Sequence, residues 1–153
     1  MANLIYGILF LEKSLVKGWF GSWVSPCLSC SSRGLSCHSE NKVVLFPCEE
    51  HLVDKFPCRK FRYQSVELYY FYASECPYFT SDGMCSVYGT EILPIDCKIY
   101  PLILSGFNSF VVDLRCEKWR DFVEDVSFLL HCMELIRSCR GISRKWVKAY
   151  LKV

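Results

Sequence analysis

One stretch of the chain, residues 75–101, restricts the possible folds most, because it combines cysteines with turn-forming residues. It reads ECPYFTSDGMCSVYGTEILPIDCKIYP, with eight and then eleven residues between successive cysteines. Proline fixes φ and glycine tolerates positive φ, so the stretch is predicted to form tight turns rather than one long element. Turns can direct sulfur atoms to one point from several sides, as a metal centre requires. We therefore predict a metal site that includes Cys76, Cys85 and Cys97.

The total of eleven cysteines in 153 residues has two general explanations. Secreted proteins use cysteines as disulfides, whereas intracellular proteins use them more often for metal or redox chemistry. The apolar run at residues 2–11 has no basic residues before it and no small-residue cleavage site after it, which argues against a signal peptide. It is also about half the ~20 residues that span a bilayer. We expect a cytoplasmic protein with no membrane association, in which a helix over residues 3–17, or a strand, packs on the core.

Further cysteines extend the predicted site. Cys27 and Cys30 form a C-x2-C pair, and Cys37 follows a loop rich in serine and glycine. In metal knuckles this spacing lets two sulfurs face one ion while backbone N–H groups stabilise the thiolates. Cys116 follows a predicted hairpin and can return to the turn-rich stretch. The predicted ligands are Cys27, Cys30, Cys37, Cys76, Cys85, Cys97 and Cys116; ligation or a structural role stays open for Cys48, Cys58, His38 and His51.

The hydrophobic pattern predicts an α+β fold: a small cysteine-rich, metal-centred domain of short strands and turns, followed by an amphipathic C-terminal helix. β-Branched and aromatic residues favour strands at 42–46 and 67–73 and a hairpin at 102–114. From residue 117, apolar residues recur at helical spacing as far as Gly141, and a short helix over 143–151 follows. At this length the chain is most simply one compact domain. We divide it into an apolar N-terminal segment (1–26), a cysteine-cluster domain (27–116) and a basic helical segment (117–153).

The C-terminal segment also allows a nucleic-acid interface. From residue 137 onward there are six lysines and arginines and no acidic residue. Trp146 and Tyr150 lie among them, and aromatic rings between cations can stack on bases. The alternative, which we favour, is a solvated helix face whose cations complement the C-terminal end of the helix dipole.

The motif order resembles the YkgJ-type proteins of bacteria and archaea, which are described as a zinc- or iron-chelating CxxCxxCC domain. The later block of that family reads roughly C-x-I-Y-x-x-R-P-x-x-C-R-x-F-P. Here CSVY at 85–88 and PIDCKIYP at 94–101 match it, with Cys76 before the block and Cys116 after it. Leu93 stands where the family has arginine, two extra residues precede Pro94, and no cysteine pair follows the first C-x2-C. The resemblance spans residues 27–116 and implies a metal centre, either zinc or an iron–sulfur cluster.

The leading functional hypothesis is a metal-binding protein that holds zinc or an iron–sulfur cluster such as 4Fe–4S through cysteine thiolates, with a protein partner possible. One alternative is an iron–sulfur-dependent redox enzyme or electron carrier. Its catalytic residues are unassigned, although Asp96, Lys98 and Tyr88 are placed to line a cleft. Another is a nucleic-acid-binding module with structural zinc. A disulfide-stabilised fold without metal is the remaining alternative.

Overall fold

The structure is a computed structural model that describes residues 41–81, 83–106 and 109–153, together with the backbone of Tyr6–Gly7. The described residues form two three-stranded antiparallel sheets, with strand orders β2-β4-β3 and β1-β6-β5. The strands are β1 (Tyr6–Gly7), β2 (Lys42–Leu45), β3 (Arg59–Tyr63), β4 (Val66–Tyr72), β5 (Leu102–Gly106) and β6 (Ser109–Val112). The α-helices are α1 (Ile95–Ile99), α2 (Trp119–Val123), α3 (Val126–Ser138) and α4 (Arg144–Tyr150). Two 3₁₀ helices span Pro47–Lys55 and Ala73–Glu75.

The β2-β4-β3 sheet separates two hydrophobic clusters. Successive side chains of a strand point to opposite faces. In β2, Val44 therefore belongs to the larger cluster, while Val43 and Leu45 belong to the smaller one. In β4, Leu68 and Phe71 divide in the same way. Because both faces of this sheet are covered, β2 and β4 can be apolar at consecutive positions.

The larger cluster joins this sheet to the second sheet and to the C-terminal helices. Leu104 of β5 and Cys132 of α3 are fully buried in it, and Phe122 packs against Phe128 with ring centroids 4.9 Å apart. At roughly 25 cal/mol per Å² of apolar surface removed from water, such side chains supply most of the stabilisation. The helical region from residue 119 onward is thus part of the core.

The predicted amphipathic helix is interrupted at residues 124 and 125. The side chain of Asp125 accepts hydrogen bonds from the backbone N–H groups of Ser127 (2.9 Å) and Phe128 (3.2 Å). Such N-capping starts a new helix, so α2 and α3 replace the single helix that the apolar spacing predicts. Ser143 caps α4 by accepting a hydrogen bond from the N–H of Trp146 at 3.1 Å. The predicted short final helix is confirmed.

Most local predictions from residue 41 onward hold, and the α+β class is confirmed. The strands at 42–46 and 67–73 and the hairpin at 102–114 match β2, β4 and β5–β6 within two residues. The strand β3 was not predicted. For the N-terminal apolar segment a helix over 3–17 or a strand was predicted; Tyr6–Gly7 is a strand paired with β6, and the other positions lie outside the described residues. No helix within the described ranges has the length and apolarity to cross a bilayer.

A disulfide joins two distant parts of the chain. Cys48, in the first 3₁₀ helix, is bonded to Cys139, the residue that follows α3, at a sequence separation of 91. Gly141 lies beside this link with φ of 94°, and a Cβ atom on it would be 2.8 Å from the Cβ of Pro47. The disulfide therefore fixes the end of α3 against the segment that follows β2. Cys48 and Cys139 are thus neither metal ligands nor free core thiols.

Candidate functional site

A cavity of about 960 Å³ opens where α1, β2, the turn-rich residues 76–91 and the C-terminus meet; we call it the site cavity. Its wall is mainly apolar. The predicted ligands Cys76, Cys85, Cys97 and Cys116 all line it. The structure therefore places these four cysteines on the wall of one cavity.

Backbone hydrogen bonds shape the turn that carries the first two cysteines. The second 3₁₀ helix ends at Cys76, whose N–H donates to the carbonyl of Ala73 at 3.1 Å. The chain then reverses, so that Phe79 and Cys85 lie opposite each other in an antiparallel bridge. Gly83 supports this reversal with φ of 82°, a conformation that favours glycine. The reversal thus brings the segment that contains Cys85 back alongside the segment that begins at Cys76.

Two carboxylates hold α1, which carries Cys97, against the neighbouring elements. Glu49 is buried and accepts hydrogen bonds from the N–H groups of Phe46 at 2.9 Å and Ile95 at 2.6 Å. Ile95 is the first residue of α1, and a helix N-terminus has N–H groups without partners inside the helix. Glu49 therefore satisfies one such donor and anchors α1 to the first 3₁₀ helix.

Asp96 is the second carboxylate, and it lies in the wall of the site cavity. One oxygen accepts a hydrogen bond from the backbone N–H of Val44 at 2.9 Å, and the other accepts one from the Tyr150 hydroxyl at 2.7 Å. Val44 lies in β2, an edge strand of its sheet, so Asp96 satisfies a donor on that edge. A single side chain thereby joins α1, β2 and α4.

Burial controls the titration of these groups. Desolvation raises the pKa of Asp96 to about 6, against the opposing effect of its two hydrogen bonds and with a smaller contribution from the negative charge of Glu49. None of the ion pairs among the described residues gives Asp96 a cationic partner. Burial also raises the pKa of Glu49, and it raises that of Tyr150 well above the usual value for tyrosine. The site thus contains acidic groups that hold their protons more strongly than in water.

The thiols of the site influence one another. Burial raises the pKa of Cys76, as does the negative charge of Cys85, although N–H groups of Tyr78 and Phe79 donate to its sulfur and oppose the shift. The pKa of Cys97 is raised well above its ordinary value by burial, then by Asp96 and by the other two thiols. Cys76 and Cys97 are therefore neutral thiols at neutral pH.

The predicted metal-binding function is wrong. Among residues 41–81, 83–106 and 109–153, no three histidine, cysteine or acidic side chains converge closely enough to hold a metal ion. One cysteine pair, Cys48–Cys139, is a disulfide instead. Metal ligation requires sulfur atoms to meet at one point, whereas these cysteines share only a cavity wall. The spacing of turns in the sequence does not distinguish the two arrangements. Nothing in the structure bears on the choice between zinc and an iron–sulfur cluster.

Of the remaining candidate ligands, four lie outside the described residues and two lie within them. Cys27, Cys30, Cys37 and His38 lie outside the described residues. His51 is exposed on the first 3₁₀ helix. Cys58 is a free thiol that packs against the smaller hydrophobic cluster.

The aromatic residues of the basic C-terminal segment are part of the core. Trp146 and Tyr150 are 5% and 7% exposed, and their rings stack on each other with centroids 5.3 Å apart. Trp146 also packs against Phe46, at 4.8 Å. Rings buried in this way cannot stack on bases. The expectation that Trp146 and Tyr150 contribute base stacking to a nucleic-acid interface is therefore wrong.

Besides the four cysteines, three residues of the site were anticipated from the sequence, and two residues were missed. Glu49 lies three residues after Phe46, which is the spacing of a capping box, but phenylalanine lacks the side-chain acceptor of that motif, so only half of the local signal was present. Tyr150 has no such signal, because its partner Asp96 is 54 positions away in sequence. Asp96, Lys98 and Tyr88 do line the site cavity, as their position in the turn-rich stretch indicated.

Comparison of the chain with protein-family models, with curated proteins and with solved structures found no match. The resemblance to the YkgJ-type proteins therefore stays a prediction from the motifs.

Proposed function

We propose that this protein binds a small, mainly apolar organic molecule in the site cavity. The observation that carries the proposal is the cavity itself: about 960 Å³, mainly apolar, and open to solvent beside a few polar groups. Ligand pockets in proteins are typically clefts of roughly 300–1,000 Å³ with apolar walls and a small number of polar groups that orient the ligand.

Asp96 supports the proposal as the polar anchor. Titratable groups with perturbed pKa values cluster at functional sites, and Asp96 combines such a pKa with a position in the cavity wall. Its two oxygens accept one hydrogen bond each, and a carboxylate has about four acceptor positions. The free positions suit a ligand with an N–H or O–H donor. A ligand amine would in addition supply the cation that the described ion pairs do not give Asp96.

The rim of the cavity supports the same function. Met84, Tyr88 and Leu151 are 41%, 43% and 50% exposed, and all three line the cavity. Large apolar side chains at such exposure cost free energy in water, and grouped around a cavity they mark a binding surface. A bound apolar molecule would cover part of this surface.

The fluorescent probe N-phenyl-1-naphthylamine, an apolar diarylamine that is uncharged at neutral pH and offers one N–H donor, tests the proposal by titration against the full chain. We expect saturable binding at one site per chain. The variant Leu151→Trp narrows the cavity, and we expect it to weaken binding about tenfold, which corresponds to about 1.4 kcal/mol. The matched control is Val126→Trp, because Val126 is 53% exposed and does not line the cavity.

Equal binding to both variants, or no saturable binding to the wild type, would contradict the proposal. If analogues without the amine displace the probe and bind with the same affinity, the cavity is an apolar binding site but Asp96 is not its polar anchor. Near-ultraviolet circular dichroism confirms that each variant is folded before its affinity is compared.

A further inference from the structure

We propose that Cys76 and Cys85 form a thiol–disulfide exchange site, which a low-molecular-weight disulfide such as glutathione disulfide oxidises. Cys97 is the adjacent third thiol and is not part of the exchanging pair. The inference concerns the covalent chemistry of the cavity wall and does not depend on the binding of an apolar ligand.

The backbone brings the two cysteines together. Cys85 pairs with Phe79 in the antiparallel bridge, and the N–H of Phe79 donates to the carbonyl of Cys76 at 3.3 Å. On the other side of the bridge, the N–H of Ser86 donates to the carbonyl of Tyr78 at 2.8 Å. The bridge thus closes one turn from Phe79 to Cys85, and a second, shorter turn from Cys76 to Phe79 leads into it, so both cysteines lie in one short hydrogen-bonded segment. A disulfide between them would close a short loop without moving distant parts of the chain.

Electrostatics and exposure are consistent with this pairing. Cys76, Cys85 and Cys97 line the same cavity, and negative charge on Cys85 raises the pKa of Cys76. Cys76 and Cys85 are free, partly exposed and in the wall of the open cavity. Cys132, by contrast, is 0% exposed, so no disulfide in solution can reach it. Accessibility therefore separates the proposed pair from the buried thiols of the core.

We assign Cys76 as the attacking residue. Burial raises its pKa, so only a minor fraction is thiolate at neutral pH, but hydrogen bonds from the backbone N–H groups of Tyr78 and Phe79 oppose that shift. Such bonds stabilise the thiolate, which is the nucleophile in exchange. The Cys76 thiolate attacks one sulfur of the disulfide RSSR, which forms Cys76–S–S–R and releases RS⁻; RS⁻ takes up the proton that Cys76 lost.

The Cys85 thiolate then attacks the Cys76 sulfur. This step forms the Cys76–Cys85 bond and releases the second RS⁻, which takes up the Cys85 proton. The sum is two protein thiols oxidised by two electrons and one RSSR reduced to two RSH.

The test equilibrates the full chain in glutathione buffers of graded ratio, blocks remaining thiols with an alkylating agent and maps linked peptides by mass spectrometry. We expect a peptide that links Cys76 to Cys85. Its ratio to the reduced form should fall about tenfold for each tenfold rise in [GSH]²/[GSSG], as a two-thiol couple requires. Two equivalents of glutathione should be released per link formed.

Two variants sharpen the test. Cys85→Ser removes the second nucleophile, so the mixed disulfide of Cys76 with glutathione should accumulate. Cys58→Ser is the matched control, since Cys58 is also free and partly buried but does not line the cavity; it should leave the linkage unchanged.

Three results would overturn the proposal: no linked peptide at the oxidising limit, a link from Cys76 to Cys97 instead, or equal glutathione adducts on Cys76 in wild type and Cys85→Ser. The wild-type map decides the matter by itself if Cys85→Ser does not fold.

Discussion

Removal of the Cys48–Cys139 disulfide tests the central correction to the sequence prediction. The perturbation is the double variant Cys48→Ala/Cys139→Ala. Alanine is preferred to serine because Cys139 is 6% exposed, and a buried hydroxyl without a partner would add its own penalty. The disulfide closes one of the longest loops available in this chain, with a sequence separation of 91 residues.

The magnitude follows from the entropy of the unfolded chain. A link across 91 residues removes loop-closure entropy equivalent to about 4.6 kcal/mol at 25 °C, and measured losses for native disulfides are about 2–5 kcal/mol. Since small domains are stable by only about 5–15 kcal/mol, the variant should be close to the limit of folding. We expect its free energy of unfolding to be about 3–4 kcal/mol lower than that of the wild type.

Urea denaturation followed by tryptophan fluorescence measures this difference, with Trp146 as a buried reporter. Wild type with a reducing agent should approach the stability of the untreated variant, while the variant itself should not respond to reduction. Cys58→Ser provides the control for loss of a free thiol. A difference below about 1 kcal/mol between wild type and double variant would refute the reasoning, because it would mean that the link adds no constraint to the unfolded chain.

Three further predictions concern single side chains. The pKa of Asp96 is raised from 3.8 to about 6, so between these pH values the folded chain binds more protons than the unfolded chain, and stability falls as pH rises. Urea titrations should show that the free energy of unfolding of the wild type falls by up to about 3 kcal/mol, relative to that of Asp96→Asn, from pH 3.5 to pH 7. A difference between the two proteins that does not change with pH would exclude this cause. Gly141→Ala should lower the free energy of unfolding by at least about 1–2 kcal/mol, because φ is 94° and the new Cβ would meet Pro47. An unchanged melting temperature would show that neither constraint holds. Asp125→Ala should lower the free energy of unfolding by about 1 kcal/mol through loss of the α3 cap, whereas Asp125→Asn should lower it much less. Equal losses of stability for the two variants in thermal unfolding would argue against capping.

Local signals account for the parts of the fold that were predicted. The strand propensity of the β-branched residues in β2 and β6 depends on near neighbours in sequence, so both strands could be predicted. Asp125 is a residue type that favours the N-cap position, which was a local signal for the start of α3. The break before α3 was nevertheless missed, because apolar residues continue at helical spacing on both sides of it. β3 was missed because RKFRY, with charges at three of its five positions, has little hydrophobic alternation.

The sequence by itself indicated that residues 75–101 contain tight turns and not one long element, because proline and glycine act locally. Tertiary structure decided what the cysteines meet. It paired Cys48 with Cys139, placed Asp96 between Val44 and Tyr150, and buried Trp146 and Tyr150 inside the core. The physical reason is that periodicity specifies which face of an element leaves water. The partner of that face is selected by packing among elements that lie far apart in the chain.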